Sequence, residues 1–399
     1  MLGNLTVAAL YLSSLSSASS FLQASTISKP LQFHLDSSSF SHFLNPFFAS
    51  YKSQISAQFS RSTMTHFLNS AIRIGELQLY RYDITDNHTN YSPAANLSVN
   101  EMKFFDCKAE YDGGAIFVIS DTFFVCNFTV FSNCSANNKG GAIFSIVPQI
   151  NFTQGCFSGC SARIGTAVYA PNSDYNFTFE GCFIDYSEGS NSDLVIYADA
   201  PDIISSSNNI TSVVLSGSVL FLQTTHFLGL THLTLQNNTA SQAILILSQA
   251  QKVDEINESN LIGCNAPILI KIDQFDVVIS NFHFVDSNCD NYFELSDGST
   301  LTLTGCFFDK EESKVPASAT KVDCKFNSKE DPIDLEYVIT KGCWAHSYYT
   351  WSPPKLAVQV VVGVVIAGCL IGAFIIVIIH AFCKRKKEAD NNELIINAA

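Results

Sequence analysis

A pentapeptide that occurs twice is the feature that most limits what this chain can fold into. Gly-Gly-Ala-Ile-Phe begins at Gly113 and again at Gly140. It lies inside two longer phrases, FFDCKAEYDGGAIFVI from Phe104 and FSNCSANNKGGAIFSI from Phe131. Because the aromatic residue, the cysteine and the glycines recur together, we interpret the repeat as structural and not as an accident of composition.

Weaker copies of the same phrase extend the repeat along the chain. FSGCSARIGTAVYA begins at Phe157 and FIDYSEGSNSDLVIYA at Phe183, so the leading phenylalanine recurs after 27, 26 and 26 residues. Related fragments lie on both sides, as LIGCNAPILI and DSNCDNYFEL downstream and SFSHFLNPFF and TMTHFLNSAI upstream. A period of about 25 residues is typical of a solenoid, in which each repeat forms one coil that stacks on the next.

The residues within each repeat predict strands and not helices. The segments are short and rich in β-branched and aromatic residues, which favours about three short strands per repeat, with turns at Gly, Asn, Asp and Ser. Helical repeats run to about 33 residues or more, and no L-x-x-L-x-L frame of a leucine-rich repeat is evident. The predicted fold of the repeat region is therefore all-β, a parallel β-helix.

Glycine has a physical role where the repeated pentapeptide enters its strand. The turn needs a backbone conformation open mainly to glycine, and stacked coils leave no space for a side chain at the inner corner. Alanine then starts the strand, and isoleucine and phenylalanine alternate between its faces. The structural turn residues predicted in this way are Gly113, Gly114, Gly140, Gly141 and Gly165.

The Gly-Gly-Ala-Ile motif, with a Phe-x-x-Cys or Phe-x-x-Asn phrase nearby, resembles the repeats of polymorphic outer-membrane proteins. The similarity is sharp over residues 104–186 and loose over 226–309. Those bacterial surface adhesins are built on a right-handed β-helix, so the resemblance implies that handedness and a role as surface adhesin or antigen. At its C-terminus this chain departs from them and is more like the surface β-helix families of single-celled eukaryotes.

The departure is an apolar segment followed by a basic tail. Residues 356–382 contain no Asp, Glu, Lys or Arg and are long enough to cross a bilayer as one transmembrane α-helix. The sequence KRKK follows from Lys384, so the positive-inside rule places the C-terminus in the cytoplasm. The N-terminus is then exported, which predicts a single-pass type I protein of the plasma membrane.

Residues 1–20 have the apolar stretch and small residues of a signal peptide, with cleavage near Ala18 or Ser20. No basic residue precedes Lys29, so a Ser-rich lead-in is the alternative. The remaining boundaries are 21–95 for an N-terminal region that forms the first coils or a cap, 96–310 for the β-helix, 311–355 for a juxtamembrane stalk, 356–382 for the transmembrane helix and 383–399 for the tail.

Cysteine usage favours an oxidising compartment, because the chain has 13 cysteines and eleven of them precede the apolar segment. If the coils stack in register, neighbours in a column lie about 5 Å apart, within reach of a disulfide. Eleven is an odd number, so at least one thiol stays free or pairs between chains. The alternative is that inward cysteines are small apolar fillers. The predicted sets are Cys107 with Cys134 and Cys160, Cys156 with Cys182, Cys264 with Cys289, and Cys324 with Cys343.

Asn-x-Ser/Thr acceptors precede the apolar segment in large number, which supports a glycoprotein exposed outside the cell. The predicted N-glycosylation sites are Asn87, Asn90, Asn96, Asn127, Asn133, Asn151, Asn176, Asn209, Asn237 and Asn257.

Several function classes are disfavoured by the sequence. A net charge of −14 argues against nucleic acid as a partner. No C-x-x-C pair suggests a metal site, and no cofactor is predicted. A polysaccharide-processing β-helix enzyme would need paired carboxylates, but Asp106, Asp112, Asp185 and Asp286 fall at turns, where solvation or capping is their ordinary role.

The C-terminal end holds two short motifs. Gly368 and Gly372 form a G-x-x-x-G that would let transmembrane helices pair. Asp390, Leu394 and Ile395 resemble an acidic dileucine sorting signal, with a clathrin adaptor as partner. The sequence therefore predicts a cell-surface glycoprotein for adhesion or antigen display with an unknown surface or matrix ligand. The alternative is an endocytic or sorting receptor that cycles through the endosomal membrane.

Overall fold

The phenylalanines that mark the repeat lie side by side in successive coils. Phe104 pairs with Phe131 and Phe131 pairs with Phe157, in both cases between parallel strands. The computed structural model describes residues 3–15, 19–24, 31–50, 55–75, 96–120, 122–171, 176–185, 188–189, 192–248 and 252–335. Over these residues the chain winds as a parallel β-helix, which confirms the fold class predicted from the repeat.

The larger sheet, sheet 1, has 23 strands, two from most coils. One strand of each coil is β1 (Gly3–Ala8), β4 (Leu31–Asp36), β7 (Ile55–Ser60), β10 (Asn96–Asn100), β14 (Phe123–Asn127), β18 (Gln149–Thr153), β21 (Asn176–Glu180), β25 (Asp202–Ser206), β29 (Phe227–Thr231), β37 (Thr300–Thr304) or β39 (Thr320–Val322). The other is β2 (Tyr11–Leu15), β5 (Ser39–Phe43), β8 (Thr63–Phe67), β11 (Lys103–Phe105), β15 (Val130–Ser132), β19 (Cys156–Ser158), β22 (Phe183–Asp185), β26 (Asn209–Thr211), β30 (Thr234–Gln236) or β38 (Phe307–Phe308). In two coils both positions lie in one long strand, β33 (Lys252–Ile262) or β35 (Asp276–Val285).

The second sheet, sheet 2, has eleven strands, one from each of eleven coils. Its members are β3 (Leu22–Ala24), β6 (Phe48–Ser50), β9 (Ile72–Ile74), β13 (Ile116–Ile119), β17 (Ile143–Ile146), β20 (Val168–Ala170), β24 (Leu194–Asp199), β28 (Ser218–Gln223), β32 (Ala243–Ser248), β34 (Ile268–Asp273) and β36 (Asn291–Leu295). Two small sheets at a corner contain β12 (Lys108–Ala109) and β16 (Ser135–Ala136), and β23 (Glu188–Gly189), β27 (Val214–Leu215) and β31 (Thr239–Ala240).

The core fills the space between the sheets with like residues stacked on like. The rings of Phe104, Phe131 and Phe157 are fully buried and stack with centroid separations of 5.1 and 4.9 Å. Strands alternate between inward and outward residues, as in β14, where Phe124 and Cys126 are buried and their neighbours are half-exposed. Such columns arise because the strand spacing of about 4.8 Å is close to the distance at which aromatic rings stack.

Two corners of the coil hold columns of residues in the left-handed backbone conformation. One column includes Glu101, Phe128 and Gln154, with φ of 53°, 49° and 52°. The other includes Asp106 and Asn133, with φ of 51° and 52°. Asparagine, aspartate and glycine tolerate this conformation best, which explains the polar residues that separate the strands in the sequence.

The glycine corner before sheet 2 uses two glycines for two reasons. Gly113 and Gly140 have φ of 68° and 67°, and Gly165 has 67° in the next coil. Gly114 and Gly141 instead lie against the backbone of the following coil: a Cβ on Gly141 would come 2.1 Å from the Thr166 carbonyl oxygen. The first glycine thus sets the turn, and the second permits the coils to approach.

Paired strands extend beyond residues 96–310 in both directions. β1 and β2, inside the residues predicted as signal peptide, pair in parallel with β4 and β5. Residues 31–50 and 55–75 form coils. The helix also continues past Lys310 through β39 to the bridge between Phe307 and Lys325.

A cap covers β36, the last strand of sheet 2. It contains the 3₁₀ helix Glu312–Lys314, after which Val315 and Ala319 are buried in the main core. No helix among the described residues is long and apolar enough to cross a membrane. The predicted transmembrane helix, its Gly368 and Gly372, and the tail motif of Asp390, Leu394 and Ile395 lie outside the described residues.

Candidate functional site

An aromatic column runs along the outer face of sheet 2. Consecutive strands contribute one ring each, and the strand register places them side by side. The rings stack with centroid separations of 5.1, 5.5, 4.9 and 5.2 Å along the column. We call this column the aromatic ladder; its members are Phe117, Phe144, Tyr169, Tyr197 and Phe221.

The aromatic ladder is separate from the core of the helix. Ile116 and Val118, the neighbours of Phe117 in β13, belong to the main core, whereas Phe117, Phe144 and Tyr169 form a cluster of their own. Apolar residues on both faces of a strand are typical of parallel sheets that are covered on both sides. This outer cluster departs from the polar surface expected of a solvated sheet face.

Two cations pack on the first half of the ladder. The Arg73 guanidinium lies 4.3 Å from the centroid of Phe117, and Lys139 Nζ lies 4.6 Å from that of Tyr169. Lys139 Nζ also donates a hydrogen bond to the Tyr169 hydroxyl at 3.1 Å. The backbone N–H of Lys139 donates to Asp112 Oδ1 at 3.1 Å, and burial raises the pKa of Asp112 while Lys139 opposes that rise.

The second half of the ladder is accessible. Phe117, Phe144 and Tyr169 are buried, but Tyr197 and Phe221 are half-exposed. The same column continues through Ile246 to Lys271 and Glu294, whose side chains form an ion pair at 2.7 Å. The accessible strip is therefore aromatic, then aliphatic, then charged.

Hydrogen-bonding groups line one side of this strip. They form a column, here named the polar column, that consists of Asp199, Gln223, Ser248 and Asp273. The Ser248 hydroxyl donates to Asp273 Oδ2 at 3.5 Å. Burial raises the pKa of Asp199. An apolar strip beside a regular row of donors and acceptors can bind a chain that presents both kinds of group in alternation.

The carboxylates singled out in the sequence are dispersed over the described surface. Asp112 belongs to the flank of the ladder, whereas Asp106 lies at a left-handed corner with its Oδ2 3.5 Å from His66 Nε2. A depression of about 570 Å³ between β36 and the cap contains one carboxylate, Glu312, which pairs with Lys321 at 2.9 Å. Among the described residues no three His, Cys, Asp or Glu side chains are placed to hold a metal ion.

One of the three predicted cysteine columns forms. The pairing on either side of Cys107, Cys134 and Cys160 places them at one position of three successive coils. Cys156 instead lies beside Phe183, so Cys182 lies beside Gly155 and that predicted column is wrong. Asn265 pairs with Asn288, so Cys289 lies beside Ala266 and Cys264 beside Ser287, and the third column is also wrong.

The described cysteines are mostly buried thiols. Free thiols are found at Cys107, Cys126, Cys134, Cys160, Cys182, Cys264, Cys289, Cys306 and Cys324. Burial raises the pKa of Cys126 and of Cys264 to about 12. Cys343, the predicted partner of Cys324, lies outside the described residues.

These buried thiols predict a loss of stability in alkali. In the unfolded chain Cys126 ionises from about pH 9, but in the folded chain it keeps its proton to about pH 12. Over that window the unfolded state binds fewer protons, so each such thiol lowers the free energy of unfolding by about 1.4 kcal/mol per pH unit. We expect Cys126→Ala to reduce the pH slope of urea unfolding between pH 9 and 11 by that amount.

The matched control is Val99→Ala, since Val99 is the buried residue beside Cys126 in the preceding coil. It should lower stability at every pH and leave the slope unchanged. Equal slopes for the wild type and the Cys126 variant would show that this thiol is not held protonated by the fold.

The acceptors for N-glycosylation differ in accessibility. Asn209 is 1% exposed in β26, where the folded chain leaves no room for a glycan. Asn133 and Asn237 are exposed at left-handed corners. Asn96 is exposed in its strand, and the acceptors that are partly exposed in strands are Asn127, Asn151, Asn176 and Asn257, while Asn87 and Asn90 lie outside the described residues.

The aromatic ladder was not predicted from the sequence, although a signal for it is present. Phe117, Phe144, Tyr169 and Tyr197 each follow a branched apolar residue near the start of the glycine-led strand. Aligning the strands of the repeats by that position would have placed four rings in one column.

Comparison with known proteins finds no matching family model, no similar curated protein and no similar solved structure. The class of protein is thus defined by its fold: a parallel β-helix that carries an aromatic ladder on one outer face.

Proposed function

We propose that this protein is a cell-surface adhesin in which the second half of the aromatic ladder and the polar column bind a linear glycan. The observation that carries the proposal is the accessible strip from Tyr197 to Ile246 beside Asp199 and Gln223. The resemblance to right-handed β-helix adhesins and the apolar segment at 356–382 support a place at the plasma membrane.

The shape of the strip favours a glycan over a folded protein partner. A specific protein interface buries about 800 Å² on each side around a broad apolar centre. The accessible strip is one side chain wide and is bordered on one side by polar groups. A sugar chain laid along the helix axis would place apolar ring faces and hydroxyl groups against a surface of that kind.

Paired substitutions test the contact. Tyr197→Ser with Phe221→Ser should weaken binding to a glycan array, or to cells that bear the ligand, by about tenfold, since aromatic contacts contribute roughly 0.5–1.5 kcal/mol each. The control is Val214→Ser with Val278→Ser, two residues that are 53% exposed on other faces. Equal loss in both variants, or no loss in the first, would contradict the assignment of the ladder.

Surface location needs its own measurement. An epitope in the Asp297–Gly298 turn should label intact cells and disappear after protease treatment, since no atom lies within 4 Å of the Cβ position at Gly298. Unlabelled intact cells that contain the full-length protein would overturn the surface role, whatever the purified protein binds.

A further inference from the structure

Two cysteines occupy the same position in the last two coils. Thr304 pairs with Val322 and Phe307 pairs with Lys325, so Cys306 and Cys324 lie side by side between these pairs. Neighbouring strands are about 4.8 Å apart, which is within the Cα separation that disulfides allow. The intervals of the sequence repeat did not indicate this pair, because the two residues are much closer in the chain than one repeat.

The side chains of both cysteines point toward the preceding coil, so the Cys324 thiol is directed at the coil that holds Cys306. The Cys306 thiol donates to the Ile279 carbonyl oxygen and the Cys324 thiol to that of Leu303, both at 3.6 Å. The Cys324 thiol is close enough to contribute to the raised pKa of Cys306. Cys306 is fully buried and Cys324 is half-buried, so one of the two is accessible to a reagent.

We propose that Cys306 and Cys324 form a disulfide that fastens the terminal coil and its cap to the β-helix. The oxidant is a low-molecular-weight disulfide such as glutathione disulfide. The Cys324 thiolate attacks one sulfur of glutathione disulfide and releases a first glutathione thiolate. The Cys306 thiolate then attacks the Cys324 sulfur of the mixed disulfide and releases the second. Two protein thiols are oxidised, one glutathione disulfide is reduced to two glutathione molecules, and the two thiol protons pass to the released thiolates.

The order of attack follows from burial. Burial raises the pKa of Cys306 to about 12, so this thiol is rarely ionised and does not reach the oxidant first. Cys324 lies after β39, a strand of three residues whose one described strand partner is β37. Transient opening of so short a strand exposes Cys324, and its return brings the mixed disulfide to Cys306.

The crosslink would act at β39, the last described strand of sheet 1. It closes a loop of residues 307–323, which contains the 3₁₀ helix Glu312–Lys314 and the buried Val315 of the cap. Crosslinking a loop of about this length restricts the open state strongly. In the cell the oxidant depends on the exported location that the proposed function assumes, but the pairing itself does not.

The other cysteine column offers no such defined pair. Cys134 has a cysteine on each side, Cys107 and Cys160, and all three are fully buried. Cys306 and Cys324 are two partners with one accessible member, which gives a single product.

The test uses purified full-length protein in a glutathione disulfide buffer, followed by alkylation, proteolysis and mass spectrometry. We expect one crosslinked peptide that joins Cys306 to Cys324, and amide exchange at Thr320–Val322 slowed on the order of a hundredfold. Cys306→Ser and Cys324→Ser should each abolish the crosslink and the added protection. Cys264→Ser is the control, since its neighbours in adjacent coils are Asn238 and Ser287, and it should keep both.

A Cys324 that stops at the glutathione adduct, or that crosslinks to Cys343, would overturn the pairing. A crosslink that forms in the purified protein but is missing from protein isolated from cells would leave the pairing intact and count against the exported location. The experiment therefore separates failure of this inference from failure of the proposed function.

Discussion

Replacing Gly141 with valine should cost about 4 kcal/mol of the free energy of unfolding, among the largest losses expected of one substitution. A Cβ at this position would come 2.1 Å from the Thr166 carbonyl oxygen and 2.6 Å from that of Ser161. Both atoms are backbone of the following coil, so relief requires the coils to separate and to lose the hydrogen bond from Gly141 N–H to the Gly165 carbonyl at 3.0 Å. Urea unfolding of the full-length protein measures the loss.

Gly298→Ala provides the comparison. Gly298 has φ of 86° and an open Cβ position, so alanine there introduces only left-handed backbone strain of about 1–2 kcal/mol. Losses of similar size in the two variants would mean that the coils do not approach as closely as the structure has them.

Phe131→Ala should be the second large loss, at about 3–5 kcal/mol. Phe131 is fully buried and stacks between Phe104 and Phe157, so truncation leaves a cavity whose lining spans three coils. Because a solenoid is stabilised mainly by contacts between adjacent repeats, the thermal transition should also broaden or divide near this coil.

The matched substitution is Phe128→Ala, three residues earlier. Phe128 is 49% exposed at a left-handed corner, and alanine there should change stability by no more than about 0.5 kcal/mol. A single sharp transition for the Phe131 variant, shifted no further than that of the Phe128 variant, would be incompatible with a continuous aromatic stack in the core.

The period of the sequence predicted the fold because residues that recur in phase must meet in successive coils. Phe104, Phe131 and Phe157 show this directly. The same reasoning failed for Cys156 and Cys182, which are 26 residues apart, because the coil between Cys156 and its neighbour Phe183 holds 27. Corners absorb such differences in length, so a mean period gives the fold but not the register of each residue.

The candidate site was harder to predict for a related reason. In Gly-Gly-Ala-Ile-Phe the strand is apolar on both faces, and alternation alone does not distinguish Ile116, which is in the core, from Phe117, which is outside it. The direction of each side chain is set by the glycine corner that precedes the strand. Aligning the repeats by their glycine corners, and not by their apolar residues, would have separated the core column of Ile116 from the outer column of Phe117.

The paired columns of left-handed corners have a consequence for how such a protein can change its dimensions. Each coil turns at equivalent positions, so the chain enters the next coil in the same orientation. Duplication or deletion of a whole coil would therefore alter the length of the helix by about 4.8 Å and leave every outer column unbroken. The length of the β-helix can therefore change in steps of one coil while the binding strip keeps its pattern.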